Sequence, residues 1–306
     1  METELTIVVP TNDADASLLK LLNSLCRQDY TLLRKTRVLL VAEELNEDIG
    51  DRSCRAGHAL NGVAGSLDGM VRRFEDRLAI EVVPFGSQSP AARRNAGARL
   101  ATTPYVLFLD PDVELPYRAG PGRELDRSLL RRAVDTAVRQ NLHLATTSVV
   151  CLHGCFLDDV LSLANNLTQR ASAFLRPFAA CTSTGMFLLF DRKEFLRLGG
   201  FSERALFADG ALLSKAIRRE RFHLLPGRVQ TTNRRMKEFG HGRIAKGLLR
   251  AMLHTGERQF VPQDGLVGQG QMHPRSSYSV RIEHNEQPLA PSQHGTVGSL
   301  EFSLME

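Results

Sequence analysis

Residues Pro104–Pro116 read PYVLFLDPDVELP. Tyr105 to Leu109 are apolar throughout, and the run stops at two carboxylates, Asp110 and Asp112, with one proline between them. An uninterrupted apolar run of this length suits a strand covered on both faces, the usual state of a strand in a parallel sheet. The ending has two readings. Asp and Pro favour turns. Side chains two apart at a strand end also point the same way, and two carboxylates so placed bind Mg2+ or Mn2+ while a substrate diphosphate supplies further oxygens.

The neighbouring sequence repeats the pattern. Buried-strand runs occur at LTIVVP (5–10), RVLLVA (37–42), LAIEVVP (78–84) and LHLATTSVV (142–150). Helical patterns lie between them. Leu18, Leu22, Leu25 and Cys26 share one face, with Asp13 or Asp15 as N-cap. In SPAARRNAGARLA, Ser89 caps and Pro90 takes the first helical position. Leu129, Leu130, Ala133, Val134 and Ala137 form a third stripe. Strand and helix in alternation predict an α/β fold with a mostly parallel sheet. Ligands in such folds bind beyond the carboxyl ends of the strands, where Asp110 and Asp112 fall.

The later chain is less regular. Residues 156–176 predict an amphipathic helix broken near Asn165 and Asn166. MFLLFDRKEFLRLGGF predicts a strand and a short helix stopped by Gly199 and Gly200. From Lys215 to Arg250 there are eleven Lys and Arg against two Glu, read as the solvated face of a helix. Beyond Arg258 the chain is rich in Gly, Pro, Ser and Gln without periodicity, and 259–306 is predicted to be a disordered tail.

Of 306 residues, 42% are hydrophobic and the formal charge is +5. Residues 259–306 hold two Arg and five acidic residues, a charge of −3, so the preceding part carries +8. That bias suits a phosphate-bearing ligand or an anionic membrane surface. Only Phe222 and Phe239 interrupt the basic run, too few for stacking on nucleic acid, and no nucleic-acid partner is expected. Five cysteines without a CxxC pair read as free thiols in a reducing compartment. Cys151 and Cys155, with His153 between them, read either as small buried residues near a strand end or as part of a metal site. With neither a secretory signal nor an apolar run long enough to span a bilayer, the expected location is cytoplasmic. Peripheral contact with the inner face of a membrane stays open, through the basic run and 156–176.

Three segments in order, IVVPTND, ARRNAGARLATTPYVLFLDPDVELP and TGMFLLFDRKEFLRLGGFSERALFADGALLSKAIRR, resemble family-2 glycosyltransferases of the GT-A fold over about residues 4–250. The resemblance implies a single GT-A domain over 1–258, with a donor half at about 1–115 and an acceptor half at about 116–258. It implies a nucleotide-diphosphate sugar as donor and inverting transfer to an acceptor hydroxyl, lipid-linked or on a saccharide. By the same resemblance Pro10, Thr11 and Asn12 contact the nucleotide, and Arg94 and Asn95 support the diphosphate. Asp110 and Asp112 hold Mn2+ or Mg2+. Asp209 is the general base, Gly185 and Met186 shape the acceptor side, and Arg234 and Arg235 steady the leaving diphosphate.

The sequence also departs from the family pattern. Ala42 and Glu43 stand where the family has the DDGS segment, leaving Glu43 to substitute at the base. Ala208 replaces the Glu that precedes the general base. With no Trp in the chain there is no QxxRW segment, so a processive synthase is not expected. These departures leave a second reading, a GT-A-like sugar-nucleotide-binding module without turnover.

Overall fold

Alternation along β1 (Leu5–Thr11) sets the architecture. Leu5, Ile7 and Val9 face one hydrophobic cluster and Val8 faces another, so the strand is covered on both sides. β2 (Thr36–Glu43) and β4 (Tyr105–Leu109) divide the same way: Val38, Leu40, Leu107 and Leu109 join the first cluster, and Leu39, Val41, Val106 and Phe108 the second. The apolar runs are therefore strands of a two-faced sheet. The computed structural model describes residues 5–12, 14–43, 67–87, 89–116, 129–152, 154–174, 186–203 and 221–234, with 237, 240–242 and 245 beyond them.

Four further strands complete the sheet: β3 (Ala79–Phe85), β6 (Leu144–Cys151), β7 (Phe187–Asp191) and β8 (Phe222–Thr231), with the two-residue β5 (Val113–Glu114) at one edge. The order is β3-β2-β1-β4-β7-β6-β8-β5. β3, β2, β1 and β4 are mutually parallel. β7 runs against both β4 and β6, β8 runs with β6, and β5 runs against β8. The sheet is thus mostly parallel, with β7 and β5 reversed.

Helices cover both faces. On one, α1 (Ala16–Cys26) packs Leu18, Leu21, Leu22 and Leu25, and α5 (Leu129–Gln140) packs its predicted stripe. Asp15 caps α1, accepting from Leu18 N at 2.8 Å. On the other face, α4 (Pro90–Leu100) and α7 (Arg192–Arg197) meet Val8, Phe108 and Phe190. Ser89 caps α4 and Pro90 opens it, as the sequence predicts. Gly97 lets α4 lie directly on β1, because a Cβ there would sit 2.4 Å from Val8 Cγ1.

Two expectations need correction. The basic run is not one helix face: 222–231 is strand β8, parallel to β6, with Phe222, Leu225 and Val229 buried. Its alternation is broken by Pro226 and Gly227, which fall in a register shift: Thr147 pairs with Leu225, but Ser148 pairs with Arg228. Nor is there a break at Asn165 and Asn166, since α6 (Phe156–Phe174) is continuous through them. Asn166 Nδ2 donates to Val149 O at 2.8 Å and Val149 N donates to Asn166 Oδ1 at 2.9 Å, so its amide continues the hydrogen bonding of β6. α6 also inverts the usual polarity. Asp158, Asn165 and Gln169 are buried, while Phe156, Leu157, Val160, Leu163 and Leu167 are exposed. Two short helices, α2 (Tyr30–Leu33) and α3 (Leu67–Arg72), fill connections between strands. No helix among the described residues is long and apolar enough to cross a membrane. The described residues lie in one unit, Met1–Gly270; the predicted tail lies outside them.

Candidate donor and metal site

The carboxyl ends of β1, β2, β4 and β8 open on the same edge of the sheet, and Thr11, Asn12, Glu43, Asp110 and Asp112 fall at or just beyond them. Alternation along β4 places Val106 and Phe108 on the α4 side. Asp110 is next in that phase and meets Arg94 of α4. Arg94 Nη2 donates to Asp110 Oδ1, in a pair whose side chains are only 1% and 3% exposed. The Arg94 guanidinium also lies 5.5 Å from the Phe201 ring centroid. That ring belongs to a cluster with Phe108, Phe190 and Phe195, with centroids 4.8–6.3 Å apart.

Asp-Pro-Asp is a turn as well as a candidate site: Val113 N donates to Asp110 O at 3.2 Å. After the turn, β5 pairs with the end of β8, Val113 opposite Thr231. This brings Thr232 to Asp112, and its hydroxyl donates to Asp112 Oδ2 at 3.1 Å. Asp110 and Asp112 are both buried. Their donor set, two hard carboxylates two residues apart, fits Mg2+ or Mn2+.

Arg93, one residue before Arg94, points along β1 instead. Its Nη1 donates to Thr11 O at 2.6 Å and to Asn12 Oδ1. Burial pulls this guanidinium below its ordinary value, Glu43 pushes it up, and Arg94 pulls it down again. Glu43, at the end of β2, therefore acts across the mouth on Arg93. Pro10 and Thr11 pair with Val41 and Ala42 just behind. Asn95 is bonded to the segment after α7. Its Nδ2 donates to Phe201 O at 2.9 Å and to Glu203 Oε1 at 3.2 Å, and its Oδ1 accepts from Phe201 N at 2.9 Å. It holds the segment after α7 against α4.

Arg234 is half exposed, with Nη1 3.7 Å from Asp15 Oδ2. Met186 is buried at the start of β7. Asp209, Gly185 and Arg235 lie outside the described residues. Negative charge extends from this mouth toward the start of α6. The Cys151 thiol is pushed up to about 11 by burial first, then by Asp158, Asp159, Cys155 and Asp112. The couplings of Arg93 to β1 and Arg234 to Asp15 had no local signal in the sequence, because their partners lie far away along the chain.

No family model and no curated protein matches the chain. Solved structures do match its fold. Residues 1–349 of S. aureus TarS align at a TM-score of 0.52 with 15% identity, over 85% of this chain and 67% of that one. The same protein in complex with UDP-GlcNAc aligns at 0.51 with 17% identity, over 75% and 58%. The Pyrobaculum calidifontis mannosyltransferase PcManGT, in complex with GDP-Man and Mn2+, aligns at 0.52 with 20% identity, over 85% and 71%. Against the longer S. aureus TarS structure the chain spans 44% of the length. The α/β fold expected from the sequence is therefore shared with proteins whose structures hold nucleotide sugars.

Proposed function

We propose that the protein transfers a sugar from a nucleoside-diphosphate sugar to an acceptor hydroxyl with inversion, as a family-2 enzyme. The observation that carries this reading is the buried Asp110–Asp112 turn, set between β4 and the β5–β8 pair at the carboxyl edge of a sheet shared with nucleotide-sugar-bound structures. Asp110 and Asp112 hold Mn2+ or Mg2+, which supplies positive charge to the leaving diphosphate. Arg94 fixes the Asp110 carboxylate, and Thr232 fixes that of Asp112. Thr11 and Asn12, steadied by Arg93, face the nucleotide, with Glu43 beside them. Asn95 holds the wall at Phe201. Arg234 and Arg235 flank the diphosphate, Gly185 and Met186 the acceptor, and Asp209 takes the proton from the acceptor hydroxyl.

A nucleotide-release screen over UDP, GDP and dTDP sugars with Mn2+ and Mg2+ tests this. Asp112→Asn should lower turnover by at least about 100-fold while the chain stays folded. Undiminished turnover in that variant, with metal still required, would remove the assigned cation site. Donor binding without release of nucleotide would favour the non-catalytic module instead.

The exposed stripe of Phe156, Leu157, Val160, Leu163 and Leu167 favours a membrane-side acceptor. Apolar side chains on one helix face, on a chain whose first 258 residues carry +8, suit an anionic bilayer at the cytoplasmic face. Sedimentation with anionic liposomes at low salt should pull the protein down, and Leu163→Glu should release it. A protein that stays in the supernatant refutes this seating.

A further inference from the structure

A second group of ligand-type side chains lies beside the donor mouth, and sugar transfer has no use for it. Asp158 stands in the first turn of α6 and is 1% exposed. One of its oxygens is held in place: Cys155 N donates to Oδ2 at 2.8 Å, and Asn233 Nδ2 donates to it at 3.3 Å. This turns Oδ1 toward His241, whose Nε2 lies 2.7 Å away. The same Nε2 is 3.4 Å from Cys155 Sγ. Sγ, Oδ1 and Nε2 all lie within 4.8 Å of one another.

One imidazole nitrogen carries a single hydrogen or a single lone pair. It cannot point a hydrogen directly at a carboxylate and a sulfur together, whereas a cation among the three atoms satisfies all of them. With metal–sulfur distances of about 2.3 Å and metal–N and metal–O distances of about 2.0–2.2 Å, tetrahedral edges come to roughly 3.3–3.6 Å. The observed 2.7 and 3.4 Å are within about an ångström of that. We propose that Cys155, Asp158 and His241 form a site for a borderline-soft divalent cation of the Zn2+ class, leaving a fourth position open to water.

The ligand set separates this site from the donor clamp. Thiolate and imidazole select Zn2+ or Co2+, whereas Asp110 and Asp112 offer only hard oxygens. The supporting contacts are those a metal ligand needs, with Asn233 and a backbone N–H orienting the carboxylate. Gly154 permits the close approach: a Cβ there would meet Asp158 Cβ at 2.7 Å and Oδ2 at 3.0 Å. Binding displaces the Cys155 thiol proton to solvent. It also staples the segment after β8 to the start of α6. Asn233, which braces Asp158, directly follows Thr232, which braces Asp112. The cation therefore fixes one wall of the donor mouth without entering it.

The test uses the full chain, stripped with chelator and titrated with Co2+. One equivalent should produce a thiolate-to-metal charge-transfer band that Zn2+ then abolishes. Cys155→Ser and His241→Ala should each lose the band, whereas Cys26→Ser and Asp112→Asn should keep it. Carboxylates alone give no such band, so the result is independent of whether any donor sugar is turned over. Absence of the band in the folded parent chain overturns the proposal, as does its survival in Cys155→Ser.

Discussion

Arg94→Met removes the guanidinium from a buried ion pair and leaves the Asp110 carboxylate behind. The Arg94–Asp110 side chains are 1% and 3% exposed, so water screens neither. An exposed pair is worth about 0–1 kcal/mol, but removing one partner of a buried pair costs about 3–5 kcal/mol, because the other charge stays behind in a dry site. Loss of the guanidinium from the Phe201 ring adds to this. Against a total stability of about 5–15 kcal/mol for a domain, the loss is large. With a urea slope of about 1–3 kcal/mol/M, the midpoint should fall by about 1 M or more. The double variant Arg94→Met, Asp110→Asn should recover most of the loss, since no charge then lies buried alone. Mn2+ should raise the midpoint of Arg94→Met more than that of the parent, a cation replacing the missing guanidinium beside Asp110 and Asp112. A cost below about 1 kcal/mol for the single variant, or an equal cost in the Asp110→Asn background, would refute this account of the pair.

Two further perturbations probe the frame around the site. Gly97→Ala places a Cβ 2.4 Å from Val8 Cγ1; overpacking of about 1–3 kcal/mol should outweigh the helix propensity gained, lowering Tm by several degrees, and Val8→Ala should restore it. Glu194 is held below its ordinary 4.5 by the Arg197 hydrogen bond, against burial, with help from His143 and Arg221. Its folded value lies below its unfolded one, so its stabilisation is present above about 4.5 and is lost as pH falls through the lowered folded value. Urea midpoints measured from pH 6 down to 3 should therefore fall less steeply in Glu194→Gln than in the parent; parallel curves would contradict this.

The central sheet was legible because its signals are local. An apolar run such as YVLFL needs both faces covered, and Ser89 with Pro90 marks a helix start without reference to anything distant. The Asp110–Asp112 turn was legible for the same reason. β8 was hidden because Pro226 and Gly227 interrupt its period and its neighbours are arginines, so charge dominated the pattern. α6 misled because a pair of asparagines reads as a breaker only while their partner is unknown, and the backbone of Val149 supplies it. Cys155, Asp158 and His241 could not be grouped from the sequence, since His241 lies 83 residues beyond Asp158. The thiol and imidazole pattern visible there paired Cys155 with Cys151 and His153 instead.

The short β5 has a mechanical meaning. Asp110 leaves the middle of the sheet and is braced by α4, whereas Asp112 is carried to the edge that β5 and β8 share. The two carboxylates are thus the jaws of a caliper whose arms are different strands. Shear between β4 and β8 reaches the gap between the jaws through the short Asp-Pro-Asp turn alone. Whatever stiffens the β8 arm therefore holds the spacing of the two carboxylates.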